Sequence, residues 1–66
     1  MTKKVKEVIK LLENDGWVHI RTTGSHRHFR HPNKQGTVTV PGKLSDDLKL
    51  GTLNSIFKQA GLNGDN

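Results

Sequence analysis

The sequence predicts an α+β fold of two layers, in which two helices cover one face of a three-stranded antiparallel sheet, in the order α-β-β-β-α. One segment near each end of the chain has apolar residues at the i, i+3, i+4, i+7 spacing of an amphipathic helix. Between them, three short segments rich in β-branched residues alternate in polarity, which is typical of strands with one buried face. Short turns join these strands, so neighbours run antiparallel. The 66 residues, 1–66, are predicted to form one domain.

The first helix is predicted from four apolar residues on one face, which are Val5, Val8, Ile9 and Leu12. Thr2 is the predicted N-cap. The helix is expected to stop at residues 14–16, because Gly16 suits a left-handed C-cap.

The last helix is predicted in the same way from Leu53, Ile56, Phe57 and Ala60. Thr52 is its predicted N-cap and Gly61 its stop. Leu62 is expected to fold back in a Schellman contact, and residues 63–66 are expected to be frayed.

The first strand is predicted within WVHIRTT, residues 17–23. Alternation assigns Val18 and Ile20 to the core face and His19 and Arg21 to the solvent face. Trp17 begins the strand in the phase of His19, but it is expected to cap the small core rather than to stack on a base.

The second and third strands are predicted at 26–31 and 37–40. Phe29 is the only large apolar residue of HRHFRH, so its face should be buried, together with Arg27 and His31. The solvent face then holds seven residues from these two strands and the first: His19, Arg21, His26, His28, Arg30, Thr37 and Thr39. His31 is expected to be structural. Residues 41–51 are predicted to form an irregular connection with one helical turn.

Composition restricts the class of protein. The formal net charge is +5, and no acidic residue lies between Asp15 and Asp46, whereas all four histidines do. Such a one-signed segment favours a polyanion such as nucleic acid, although a small basic protein without such a partner has the same composition. The absence of cysteine excludes disulfides and thiolate metal sites. No apolar run approaches the roughly 20 residues of a membrane span, and the N-terminus lacks a signal-peptide core. We therefore expect a cytoplasmic domain with no membrane partner.

Four runs, in this order, resemble the HicA family of toxins from HicA–HicB type II toxin–antitoxin modules: DGW at 15–17, TGSHRHFRHP at 23–32, VTVPGK at 38–43 and GTLNSIFKQAGL at 51–62. The resemblance covers about residues 2 to 62. It implies a fold similar to a double-stranded-RNA-binding domain. It also implies an endoribonuclease that cuts mRNA without a metal or other cofactor and is held inactive by a HicB-like antitoxin.

The resemblance implies that His26, directly after Gly24-Ser25, is the catalytic residue and that Gly24 is functionally important. An imidazole with its ordinary pKa of about 6.5 can exchange protons near neutral pH, and RNA carries its own nucleophile in the 2′-hydroxyl. His28 is the first candidate for the general acid.

Other residues are candidates for a supporting role. Lys34 is the second candidate for the acid. Arg30 and Arg21 are candidates to bind the phosphate as charge builds on it, and the backbone N–H of Gly24 or Ser25 is a further one. Arg27 stands where many family members have a second histidine, and the alternation puts it off the active face.

Two other functions are compatible with parts of this pattern. His26 and His28, joined by His19, could bind zinc. However, Arg21 and Arg30 would crowd a dication, and no carboxylate is near to orient the rings, so we expect no metal ligands here.

The second alternative is a non-catalytic RNA-binding module of the same fold, which reads the shape of RNA. Such a module would carry lysines at the start of the last helix, where this chain has none until Lys58. An RNA gel shift without cleavage would indicate this alternative.

Overall fold

The computed structural model of the protein describes residues 3–62. Its elements are β1 (Lys3–Lys4), α1 (Val5–Asn14), β2 (Val18–Thr23), β3 (His26–Arg30), β4 (Thr37–Val40), β5 (Asp47–Leu48) and α2 (Leu50–Ala60). The sheet has the order β2-β3-β4 with antiparallel neighbours. The predicted α+β fold and its α-β-β-β-α order are therefore confirmed. Thr2 and residues 63–66 fall outside the described residues, but the predicted N-cap is wrong, because α1 begins at Val5 with Lys4 as its N-cap.

The start of α1 is held by the segment that precedes α2. Lys4 is the N-cap, and its backbone N–H donates to Oε1 of Glu7 at 2.9 Å. The N–H of Val5 donates to the carbonyl oxygen of Asp46, and that of Lys6 to the carbonyl oxygen of Leu44. These bonds satisfy donors that a helix N-terminus leaves without intrahelical partners.

The connection between β4 and α2 differs from its prediction. Instead of a helical turn, it contains a turn at 44–45 and the strand β5, which pairs antiparallel with β1. The Nζ atom of Lys4 lies 3.2 Å from Oδ1 of Asp47 across this small second sheet. The sequence pattern does not reveal β5, because a strand of two residues carries no periodicity.

The core lies between the helices and the inner face of the three-stranded sheet. Its buried apolar residues are Val5, Val8, Leu12, Trp17, Phe29, Val38, Val40, Leu48, Leu53, Ile56 and Ala60. Phe29 pairs with Val38 across β3 and β4, so both point to the helices, as predicted. β2 contributes none of these residues.

The predicted orientation of β2 is wrong at its beginning. Val18 is 58% exposed and Ile20 43% exposed, whereas Trp17 is only 2% exposed. The ring of His19 packs edge-on against buried Phe29, with 5.5 Å between centroids. Because Trp17 enters the core, the alternation is the reverse of the predicted one, and His19 follows Trp17 to the inner side.

A bulge restores the predicted phase further along β2. The register shifts between His19 and Arg21, after which Arg21 pairs with His28 and Thr23 with His26. One extra residue in a strand moves every later side chain to the opposite face. Arg21 therefore shares the outer face of the sheet with His28, as predicted.

The start of α2 also differs from its prediction. The helix begins at Leu50 with Lys49 as N-cap, not at Thr52. The N–H of Leu53 already donates to the carbonyl oxygen of Lys49 at 2.9 Å. Thr52 therefore lies within the first turn, and the chain enters the helix directly from β5 without a side-chain cap.

The end of α2 is as predicted. Gly61 adopts the left-handed conformation with φ +70°. Its N–H donates to the carbonyl of Lys58, and the N–H of Leu62 donates to that of Phe57 at 2.8 Å. These two bonds form a Schellman motif, and Leu62 packs against the core.

Among residues 3–62, no helix is long and apolar enough to cross a membrane.

Candidate active site on the outer face of the sheet

We use "outer face" for the face of the β2-β3-β4 sheet that points away from the helices. Residues opposite each other on neighbouring strands share a face. The register therefore gathers there the side chains of Val18, Arg21, Thr23, His26, His28, Arg30, Thr37 and Thr39. This set contains basic, polar and apolar residues but no carboxylate, so the outer face can attract an anion without competition from its own side chains.

The turn before β3 places His26. Thr23 pairs with His26, so Gly24 and Ser25 form a two-residue hairpin loop. Gly24 has φ +59°, and no residue other than glycine has a positive φ within the described chain. A positive φ at the first loop position only is typical of a type II′ turn, which matches the twist of the flanking strands. His26 thus follows the turn directly, in an exposed position at the start of β3.

His26 and His28 form a pair on the outer face. They are alternate residues of one strand, so their Cα atoms lie about 6.5 Å apart along it. Nδ1 of His28 lies 3.1 Å from Oγ1 of Thr39 on β4. This hydrogen bond fixes the imidazole orientation and leaves Nε2 as the ring nitrogen that can face a substrate. His26 is more exposed than His28, which is half-buried.

Two arginines flank the histidine pair. Arg21 lies opposite His28 on β2, and Arg30 is two residues further along β3. Both are exposed. A guanidinium can donate to two oxygens of a phosphate at once. The outer face therefore combines proton-transfer groups with phosphate-binding groups.

Lys34 lies in a different part of the protein. Its Nζ is 2.6 Å from Oδ2 of Asp15 and 2.9 Å from the carbonyl oxygen of Ala60. It thus joins the β3–β4 loop to the ends of α1 and α2. The hydrogen bond from Lys34 lowers the pKa of the Asp15 carboxyl below its usual 3.8, against the opposing effect of burial. The structure does not bring Lys34 together with His26.

His31 lies in the same region as Lys34 and Asp15, which we call the Asp15 corner. Its Nδ1 accepts a hydrogen bond from the N–H of Asn33 at 2.9 Å. Its Nε2 lies 2.7 Å from the carbonyl oxygen of Asp15. A carbonyl can only accept, so the proton of the neutral ring is on Nε2. The ring also packs edge-on against Trp17, with 5.3 Å between centroids. Both nitrogens are occupied, which agrees with the predicted structural role.

The contacts of the Asp15 corner explain the DGW run, residues 15–17. The carboxylate of Asp15 accepts from Lys34 and, at 3.2 Å, from Nε1 of Trp17. Gly16 has φ +104°, and a Cβ at this position would lie 2.8 Å from Nε2 of His31. The run therefore fixes the packing of Trp17 and His31, on which the direction of β2 and the end of β3 depend.

A family model described as the HicA toxin of bacterial toxin–antitoxin systems matches residues 5–62. The chain belongs to the HicA toxin family. The match includes both helices, the three-stranded sheet and the Gly24–His28 segment. A toxin of such a system has a cognate antitoxin. No curated protein matches the chain.

Arg27 follows His26 directly on β3. Here its side chain lies on the inner side, opposite Val40. Nη1 donates to the carbonyl oxygen of Gly42 at 2.9 Å. Arg27 therefore stabilises the segment that follows β4. Its side chain is not on the outer face, as the alternation predicts.

The zinc alternative is not supported by the geometry. His19 lies on the inner side, while His26 and His28 lie on the outer face. Within residues 3–62, no three side chains of His, Asp or Glu converge as metal ligands would. The three histidines of that hypothesis are therefore not brought together.

The role of Thr39 could not be predicted from the sequence. Alternation placed Thr39 on the solvent face but could not reveal which residue of β3 lies opposite. The pairing of His28 with Thr39 depends on the length of the β3–β4 loop, which sets the register. The only sign of this role in the sequence was the Thr-Val-Thr-Val alternation, which places Thr39 on the solvent face.

Proposed function

We propose that this HicA-family toxin is a metal-independent endoribonuclease that cleaves mRNA and is neutralised by a HicB-like antitoxin. The observation that carries the proposal is the placement of His26. It is an exposed histidine directly after a type II′ turn, on a sheet face that also bears His28, Arg21 and Arg30 and no carboxylate. Exposed single-stranded RNA is the substrate that such an open face can accept.

His26 acts as the general base. Its neutral imidazole takes the proton from the 2′-hydroxyl of the RNA, and the 2′ oxygen forms a bond to the adjacent phosphorus. The bond from phosphorus to the 5′ oxygen breaks, and that oxygen takes up a proton. The products are a 2′,3′-cyclic phosphate and a 5′-hydroxyl end. General acid–base catalysis of this kind contributes about 10²–10⁴-fold in rate.

His28 is the group best placed to supply the proton to the leaving oxygen. It shares the outer face with His26 at about 6.5 Å along the strand, and Thr39 orients its ring. As the general acid His28 is the imidazolium, in which Nδ1–H donates to Oγ1 of Thr39 and the proton on Nε2 is given to the leaving oxygen. Lys34, the other candidate acid, is already bonded to Asp15 and Ala60.

Arg21 and Arg30 stabilise the charge that develops on the phosphate oxygens. Donors that are already in place cost no reorganisation when the charge forms. The N–H of Gly24 or Ser25 supplies a further donor at the turn. The same basic face suits an acidic antitoxin surface, since complementary charge speeds association.

The deciding experiment compares wild type with His26→Ala on a long single-stranded RNA in the presence of EDTA. We expect wild type to cut and the variant to bind RNA without cutting. Lys58→Ala is the control, because it removes an exposed positive charge from α2. Circular dichroism checks that all three proteins fold.

The products give a second, independent criterion. Mass spectrometry should find 2′,3′-cyclic phosphate ends, and a 5′-phosphate product would contradict the mechanism. If wild type shifts RNA in a gel and leaves it intact, the protein is a non-catalytic RNA-binding module.

A further inference from the structure

Strand β2 is a sheet edge that no other strand of residues 3–62 pairs with on its free side. It is the longest strand of the described chain, it lies at one end of the order β2-β3-β4, and each of its six residues is exposed. The opposite edge differs. β4 has four residues, its Val38 and Val40 are buried, and Pro41 follows it directly. The helices therefore cover β3 and β4, whereas β2 extends beyond them.

This edge lacks most of the features by which proteins protect exposed strands. Such strands are usually short, or carry lysine or proline, or are covered by another element. β2 contains neither lysine nor proline, and it exposes the apolar side chains of Val18 and Ile20. Its bulge twists the strand, but pairing with β3 continues on both sides of the shift. The backbone groups on the free side of β2 can still pair with an added strand.

An open groove of about 210 Å³ lies between β2 and the helical layer. Its lining residues are Ile9, Glu13, His19, Arg27, Phe29 and Leu44. In an added strand, alternate side chains point to the inner and outer sides of the sheet. An apolar side chain on the inner side would contact Ile9 and Leu44, whereas side chains on the outer side would lie beside Arg21.

We propose that the β2 edge binds an extended, acidic segment of the cognate antitoxin, which adds to the sheet as a fourth strand. The identity of the partner rests on the proposed function; the site itself rests on the exposed edge and the groove. In this mode of recognition, main-chain hydrogen bonds give affinity and pockets for alternate side chains give specificity. The acidic character follows from Arg21 and His19, the two basic residues of a strand that has no acidic one.

A second copy of the toxin is a poorer occupant of the same edge. Pairing β2 with another β2 would bring two strands together that each carry an arginine and a histidine and no acid. Like charges on neighbouring strands are destabilising. An acidic strand has no such penalty.

The bound strand would also inhibit the toxin. It would lie next to Arg21, whose neighbour across the β2–β3 ladder is His28. RNA that approaches the outer face from this side would meet the antitoxin backbone and its negative charge. Inhibition would therefore not require the antitoxin to contact His26.

Hydrogen exchange of the wild-type toxin tests the proposal directly. With purified cognate HicB-like antitoxin, we expect the amides of residues 18–23 to gain protection. If the antitoxin binds and these amides exchange as before, or if it does not bind at all, the proposal is wrong. It is also wrong if the toxin alone shows protection of these amides that rises with its own concentration, because a second copy is then the occupant.

A matched pair of variants tests the role of the edge. Ile20→Lys places a lysine on the β2 edge and should weaken antitoxin binding at least ten-fold, although added positive charge alone would strengthen binding to an acidic partner. Thr37→Lys adds the same charge at the opposite edge, on β4, and should change affinity less than two-fold. Equal effects of the two variants would overturn the proposal.

RNA cleavage without antitoxin is measured in parallel, so that the two hypotheses can fail separately. A toxin that never cuts RNA but gains protection at β2 contradicts the proposed function and leaves the antitoxin site standing. A toxin that cuts RNA but binds the antitoxin at another surface contradicts the proposed antitoxin site and leaves the proposed function standing.

Discussion

The ring of His31 lies 2.7 Å from the backbone carbonyl oxygen of Asp15, and this hydrogen bond ties the end of β3 to the end of α1. The other ring nitrogen accepts from the N–H of Asn33. Of the histidines clustered around β3, His31 thus stabilises the fold, while His26 is exposed on the outer face. This division of roles can be tested by deleting each ring separately.

His31→Ala should lower the free energy of unfolding by about 1–3 kcal/mol, because it removes two hydrogen bonds of about 0.5–1.5 kcal/mol each. His26→Ala should change it by less than about 0.5 kcal/mol, as is usual for exposed positions. Urea denaturation of the three proteins measures both effects. Equal losses would show that the corner at Asp15 does not depend on His31.

The Asp15–Lys34 ion pair predicts a dependence of stability on pH. The pKa of Asp15 is lower in the folded protein than its usual 3.8, chiefly through the hydrogen bond from Lys34. The stabilisation is therefore complete well above 3.8 and is lost as the pH falls through the lowered folded value. At neutral pH, Asp15→Asn should cost up to about 1 kcal/mol, since the pair is partly exposed.

Denaturation of wild type and Asp15→Asn at a series of pH values checks this prediction. The difference between them should be largest at neutral pH and should shrink below pH 3.8. Asp47→Asn, which removes the carboxylate of the more exposed pair with Lys4, should show a smaller difference throughout. A difference that grows in acid would contradict the assignment.

Gly24→Ala should lower the free energy of unfolding by about 1–2 kcal/mol, because a residue with a Cβ is strained in the left-handed region. No atom lies within 4 Å of the added Cβ, so the effect isolates backbone strain. Gly51→Ala also meets no atom but lies in α2, and it should raise stability by about 0.5–1 kcal/mol. RNA cleavage should fall with Gly24→Ala and not with Gly51→Ala, because only Gly24 lies in the turn that presents His26.

Arg21→Ala and Arg30→Ala should each reduce the salt dependence of RNA binding by about 0.7 in the slope of log K against log salt, the value for one phosphate contact to a single strand. Arg27→Ala removes the same charge from the inner side and should leave the slope unchanged. Fluorescence titrations at several salt concentrations distinguish the two sides. A uniform decrease in all three variants would mean that only net charge matters.

Thr39→Val keeps the shape of the side chain and removes the hydroxyl that orients His28. Cleavage should fall about ten-fold, less than the roughly 10²-fold or greater loss expected when a general acid is removed by His28→Ala. In the double variant the Thr39 change should add nothing further, because its effect acts through His28. Single-turnover cleavage rates measure all three. Additive losses would indicate that Thr39 contacts the substrate itself.

Much of this structure could be predicted from the sequence because the helices have clear periodicity. The apolar residues of both helices, and Phe29 with the two valines of β4, lie where the pattern places them. The end of α2 was also predictable, since Gly61 followed by Leu62 carries the chemistry of a Schellman motif.

The orientation of β2 could not be predicted in the same way. Val18 and Ile20 are the residues that a half-buried strand would turn inward, yet the larger Trp17 takes the core position and reverses the alternation. A bulge then reverses it again before Arg21. Neither event leaves a local signal, because both depend on what the rest of the fold packs against the strand.

The candidate site was predicted at the level of faces and not of contacts. Alternation along β3 was sufficient to place His26, His28 and Arg30 together. The capture of Lys34 by Asp15 and Ala60 and the bond between His28 and Thr39 join residues far apart in the sequence. They become visible only when the register and the loop paths are known.

The N-terminus of α1 is capped by carbonyl groups of Leu44 and Asp46, and the strand before it pairs with Asp47 and Leu48. The opening helix therefore acquires its partners only after some two thirds of the chain has been synthesised, and the core closes only when α2 follows. A polypeptide that stopped before Leu44 would lack these bonding partners as well as α2.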